Sequence, residues 1–154
     1  MTRWIEQDRP VVFFDLETTG TNRTTDRIVE IALVRIDVNG SERTFRSLVN
    51  PGIPIPEEVS LIHGITNEMV VTAPKFQDIT GELITLTDNA DLAGFNIARF
   101  DIDLLIAEFK RADSEFKMEG RRIFDALTIF HDREPRDLSA ASRFYCGKPF
   151  ENAH

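Results

Sequence analysis

Alternating apolar and polar positions dominate the first third of the chain. Residues 11–18 (VVFFDLET) form a short apolar run that ends in polar residues. Residues 27–37 (RIVEIALVRID) are rich in branched side chains suited to a pleated strand. Asn39-Gly40 then supplies a hairpin turn into a third strand over residues 44–50. Three consecutive strands follow, the second and third antiparallel. The segment PGIPIPEE forbids regular structure until Pro56 opens a short helix over 57–62, which Gly64 closes. After Pro74, Phe76, Ile79, Leu83 and Leu86 fall at helical spacing. A strand over 91–95, a helix capped by Asn96 and running to Ala112, a strand over 121–125, and short helices near 126–132 and 138–145 complete the reading. A meander followed by alternating helices and strands predicts an α/β domain: a mixed five-stranded sheet, its first three strands an antiparallel meander, flanked by helices. No linker divides the chain.

Composition adds exclusions. The chain has 154 residues, 42% of them apolar, enough for one domain with its own core. No window resembles a membrane span, and the first ten residues are too polar for a signal peptide. A single cysteine, Cys146, cannot form an internal disulfide, so a reducing cytoplasmic setting is expected. The formal charge of −8 excludes a nucleic-acid binder that works by bulk positive charge.

Two acidic anomalies then stand out. In residues 11–18 one strand face carries Val11, Phe13, Asp15 and Glu17, and the other Val12, Phe14, Leu16 and Thr18. Asp15 and Glu17 therefore project side by side after a run apolar enough to be buried. A divalent cation resolves their repulsion, since Mg²⁺ and Mn²⁺ prefer carboxylate oxygens. The bland alternative ends the strand at Phe14 and leaves both acids in a solvated loop. Along the later helix, Ile97, Phe100, Asp101, Leu104 and Leu105 share one stripe, so Asp101 falls among apolar neighbours while Asp103 falls outside them. Asp101 could pair with Arg99 or join Asp15 and Glu17. Together the anomalies point to a metal site.

The strings FFDLETTGTN, IVEIALV, VSLIHGIT and GFNIARFDIDLL, taken in that order, resemble the DnaQ-like 3′–5′ exonucleases of the DEDDh type, the group that includes proofreading epsilon subunits. The resemblance implies a ribonuclease-H-like fold, and it maps the family's metal-ligating acids onto Asp15, Glu17 and Asp101. It also maps a general base onto His154. In the family that histidine is followed five residues later by a fourth acid. The sequence stops at His154, so the expectation is a single exonuclease domain over 1–154 without its C-terminal helix, in a natural protein that continues.

What the resemblance further implies is metal-dependent hydrolysis of the terminal phosphodiester at a 3′ end, releasing nucleoside monophosphates. Two divalent cations would sit about 3.5–4 Å apart. His154 would take the attacking water's proton. Thr18 and the backbone around it, Leu16 and Gly20 included, would meet the 3′-OH. Ile62 and His63 would line the base pocket, with Asn96 and Phe100 beside the scissile nucleotide. The bland readings are a helix-closing His63 and a core Phe100. The expected partner is a single-stranded or frayed 3′ end, DNA favoured, with a DNA polymerase as a possible protein partner and no membrane. Two rivals stay open: an RNA 3′-end exonuclease of the same fold, and a non-catalytic nucleic-acid-binding module.

Overall fold

The computed structural model describes residues 7–133. The helix expected near 138–145, Cys146 and His154 lie outside the described residues. Strands β1 (Val11–Thr18), β2 (Ile28–Ile36) and β3 (Glu42–Leu48) form the antiparallel meander, with Gly40 at φ 85° in the turn between β2 and β3. Helices α1 (Glu57–His63), α2 (Asn67–Val70) and α3 (Phe76–Thr87) follow, then β4 (Asp91–Gly94), α4 (Asp101–Arg111), β5 (Ile123–Asp125) and α5 (Ala126–Arg133). The sheet order is β3-β2-β1-β4-β5, with β4 and β5 parallel to the central strand side. This is the five-stranded mixed sheet that the alternation predicts. Among the described residues no helix is long and apolar enough to cross a membrane.

One face of β1 is sealed. Val12, Phe14 and Leu16 pack with Ile31 and Leu33 of β2 beneath α3 and α4, which contribute Leu83, Leu104 and Phe109. The expected stripe of Phe76, Ile79, Leu83 and Leu86 is buried throughout, and the Phe76 and Phe109 rings meet edge to face at 5.2 Å. Each such side chain removed from water contributes about 1.5–3 kcal/mol. The sealed layer makes β1 and α4 a rigid frame.

Two local expectations are corrected. The later helix begins at Asp101, not beside Asn96, and Asn96 caps nothing; its own φ is 60°, left-handed. The chain between β4 and α4 is held instead by Asp125, whose carboxylate accepts the backbone N–H groups of Asn96 at 2.8 Å and Ala98 at 3.0 Å. The short α2 also has no counterpart in the sequence reading. Gly64, by contrast, closes α1 as expected, at φ 78° with its N–H bonded to the Ser60 carbonyl.

Buried ion pairs pin the ends of the frame. Glu108 on α4 accepts Arg27 at 2.6 and 3.0 Å and the Ile28 N–H at 3.2 Å, tying the helix to the start of β2. Asp91, fully buried at the start of β4, takes Arg9 at 2.6 Å and Arg122 at 2.7 Å.

Candidate active site

The ladder between β1 and β4 runs only from Val11 to Phe13 on β1, so residues 15–18 extend past the end of their parallel neighbour. A crevice opens there, beyond the carboxyl ends of the parallel strands, where α/β sheets place their ligands. β4 can come this close because it ends in glycine. A Cβ at Gly94 would fall on Ile97 Cγ2 and only 2.8 Å from the Phe14 carbonyl oxygen. The loop from Gly94 then delivers Asp101, the first residue of α4, to the crevice.

The strand does not end at Phe14. Asp15 pairs with Ala32 and Glu17 with Glu30, both within the regular ladder, and a register shift falls only between Glu17 and Thr18. The two acids therefore share a face, as the alternation requires. That face is not the buried one, however. Phe13 is 46% exposed, Asp15 is exposed and Glu17 half-buried. The run leading to the acids is buried as expected at Val11, Val12 and Phe14 but not at Phe13, so the pair faces solvent and is bordered by a buried third acid.

Asp101 is that third acid, 7% exposed and inside the apolar stripe of α4, with Asp103 outside it. It makes no ion pair with Arg99; the arginine's carbonyl serves Arg23 instead. Burial and then the charge of Asp15 push the Asp101 carboxyl up to about 6, against weaker opposition from backbone N–H groups of Asp101 and Leu16. Burial and then Asp15 likewise raise Glu17, while His63 works the other way and Glu30 adds to the rise. Asp15 thus acts on both neighbours across the crevice. Among the described residues no three His, Cys, Asp or Glu side chains close into a ready-made cation cage. Burial and, after it, the repulsion from Asp15 disfavour the ionised forms of Asp101 and Glu17, and a bound cation would compensate that charge. The donor set of hard oxygens fits a divalent ion of the magnesium or manganese kind.

The other site residues surround the end of β1. The Leu16 side chain is buried, and the Thr18 hydroxyl donates to the Gly20 carbonyl at 2.7 Å. Gly20 packs directly against the Asp26 carboxylate: a Cβ would lie 2.6 Å from Asp26 Oδ2, so that side chain would have to shift. His63, at the end of α1, bridges to this turn: its Nδ1 accepts the Ile65 N–H at 3.1 Å and its Nε2 lies 3.1 Å from the Thr18 carbonyl oxygen. Beside it Ile62 stands 83% exposed. Asn96 and the half-buried Phe100 belong to the loop before α4, where Phe100 packs against the core. No hydrogen bond joins that pair to Thr18 or His63. Asp125 is the residue the sequence reading missed. It also accepts the Leu127 N–H at 3.0 Å, and although burial alone would raise its carboxyl, these backbone donors hold it below the ordinary value. An aspartate ending a strand just before a helix was its available signal.

Comparison with known proteins agrees with this architecture. The RNase T family model, described as Exonuclease, matches residues 12–137. The 3′–5′ exonuclease DinG of Staphylococcus epidermidis is 29% identical over 144 residues, 91% of this chain and 16% of DinG. The DNA polymerase III epsilon subunit of Treponema pallidum is 39% identical over 95 residues, 62% of this chain and 44% of that protein. Among solved structures, exonuclease I crystallised with a dT13 oligonucleotide superposes with a TM-score of 0.70 at 20% identity, over 80% of this chain and 29% of that one. The chain thus spans less than half the length of each of these relatives.

Proposed function

Since the chain belongs to the exonuclease family, we propose that it is the catalytic domain of a metal-dependent 3′–5′ exonuclease of the proofreading and repair type, acting on single-stranded or frayed DNA ends. The observation that carries this reading is the convergence of Asp15, Glu17 and Asp101 on the crevice at the end of β1, with two of the three held abnormally basic. A phosphodiester is stable and anionic, and three uncompensated carboxylates in one crevice would reject it. Divalent ions held by the three carboxylates, two in this reading, would activate water and stabilise the leaving 3′-oxygen.

The chain's own residues supply the rest. Asp15, facing both other acids, is the ligand best placed to be shared. The polar turn at residues 18–20 presents backbone to the terminal sugar, its shape kept by the Thr18–Gly20 bond. His63 holds α1 against that turn, so that Ile62 offers an apolar surface on which an unpaired base can rest without sequence preference. His154 is the proposed acceptor of the water's proton.

The test uses the full-length protein and 3′-labelled single-stranded DNA and RNA, with Mg²⁺, Mn²⁺ or EDTA. Mononucleotides should appear from DNA with either metal and vanish with EDTA. Release that survives EDTA would sink the metal mechanism; no release from either substrate would favour a binding module; preferential cleavage of RNA would reassign the substrate. His154→Ala should slow turnover about 10²- to 10⁴-fold while the oligonucleotide still binds. An unchanged rate would remove His154 from its role.

A further inference from the structure

Among the described residues, the face of the meander that carries Asp15 has one cation at its charged strand positions. Asp15, Glu17, Glu30 and Glu42 point to this side of β1, β2 and β3, and only Arg46 opposes them; Arg35 and Arg43 belong to the opposite face. Arg46 is also in line with the crevice. Asp15 pairs with Ala32 and Ala32 with Arg46, so the three occupy one row across the sheet. Two strand spacings separate Asp15 from Arg46, about 10 Å. That row passes over alanine, whose methyl group leaves the path between them low. Ala32 and Asp15 both line a cleft of about 410 Å³ on this side of the sheet.

Arg46 leans toward the catalytic end. Its Nε donates to Glu30 Oε1 at 2.8 Å, and Glu30 is the cross-strand partner of Glu17. Glu30 is mostly covered at 16% exposed, whereas Arg46 is 74% exposed. Among the described residues Glu30 is the only partner of Arg46, which leaves both terminal nitrogens directed at solvent. An ion pair this exposed contributes little to stability. A planar guanidinium is nevertheless suited to phosphate oxygens.

We propose that Arg46, aimed by Glu30, contacts a backbone phosphate of the substrate strand a few nucleotides on the 5′ side of the scissile bond. The strand would leave the crevice at Asp15 along the row over Ala32. The chain carries a net charge of −8, and among the described residues the other charged strand positions of this face are all acidic, so Arg46 biases which way a polyanion can lie. Arg46 is a positioning residue, and its role rests on the exonuclease reading above.

The test measures KM and kcat of the full-length protein on a single-stranded thymidine oligonucleotide at several salt concentrations, for the parent, Arg46→Gln and Arg46→Lys. Arg46→Gln should raise KM about 5- to 20-fold with kcat little changed. It should flatten the salt dependence of log KM by roughly 0.7, the loss of one contact to a single strand. Arg46→Lys, which keeps the charge, should restore the slope. Thermal unfolding of all three should coincide, since only a surface pair is lost. Parental KM and slope in Arg46→Gln would overturn the proposal, as would a raised KM with an unchanged slope. If the parent itself hydrolyses no nucleic acid, the exonuclease reading fails first and takes this inference with it.

Discussion

The Nε2 of His63 lies 3.1 Å from the carbonyl oxygen of Thr18, and the opposite ring nitrogen accepts the Ile65 N–H. With Nδ1 committed as acceptor, the neutral ring carries its proton on Nε2 and donates it to Thr18. One side chain thereby fastens the end of α1 to the end of β1. His63→Ala should raise KM for single-stranded DNA about tenfold, with a loss of stability of about 1 kcal/mol. Steady-state kinetics and urea unfolding check both; an unchanged KM would leave His63 as a helix closer only.

Asp101 makes stability and metal affinity respond to pH in opposite directions. Its carboxyl ordinarily titrates at 3.8 and here at about 6. Between those values the folded protein holds a proton that the unfolded chain releases. Stability of the metal-free protein therefore falls as pH rises from about 4 to about 6 and stays level above. Asp101→Asn should remove the decline, making the metal-free variant more stable than the parent at pH 7.5 by up to about 3 kcal/mol. Divalent ions need the ionised form, so parental affinity should climb through the same interval. Melting curves in EDTA at pH 4.5 and 7.5, with metal titrations alongside, decide it.

Gly94 sets how closely β4 approaches β1. Because a Cβ there would meet the Phe14 carbonyl, which belongs to the central strand and cannot turn aside, Gly94→Ala must displace the loop that leads to Asp101. We expect a cost of about 1–3 kcal/mol and a larger fall in kcat than in substrate affinity. Equal activity in Gly94→Ala would show that this approach does not position the acid.

Asp125 does for the loop before α4 what no residue inside that loop can do. Replacing it by alanine strands the N–H groups of Asn96, Ala98 and Leu127, at about 2–4 kcal/mol in all. The effect should shrink on acidification, because a carboxylate held below 3.8 stabilises the fold above that pH and stops doing so as pH falls through its lowered value. Denaturant midpoints of parent and Asp125→Ala at pH 7 and pH 3 provide the comparison.

How far the sequence could be read depended on the range of the interaction involved. Alternation in VVFFDLET assigns Asp15 and Glu17 to one face and Val12, Phe14, Leu16 and Thr18 to the other, and a helical stripe places Asp101 among apolar residues. These are statements about neighbours within a few positions, which backbone geometry alone fixes. The same periodicity does not say which strand face is covered, and so it left open that Phe13 and Asp15 face solvent. It could not foresee that Asp125 caps a loop 29 residues earlier, or that Glu108 clamps Arg27 across 81 residues.

By itself, then, the sequence determined the strands, most of the helices, their faces and the acids that share one. The order of the strands is what brings Asp101 to Asp15, because β4 stops short and β1 runs on into the gap. Only the tertiary structure decided that meeting, along with the solvent-facing position of Asp15 and the row that links it to Arg46. Each depends on backbone brought together from distant parts of the chain, and local periodicity carries no information about which distant parts those are.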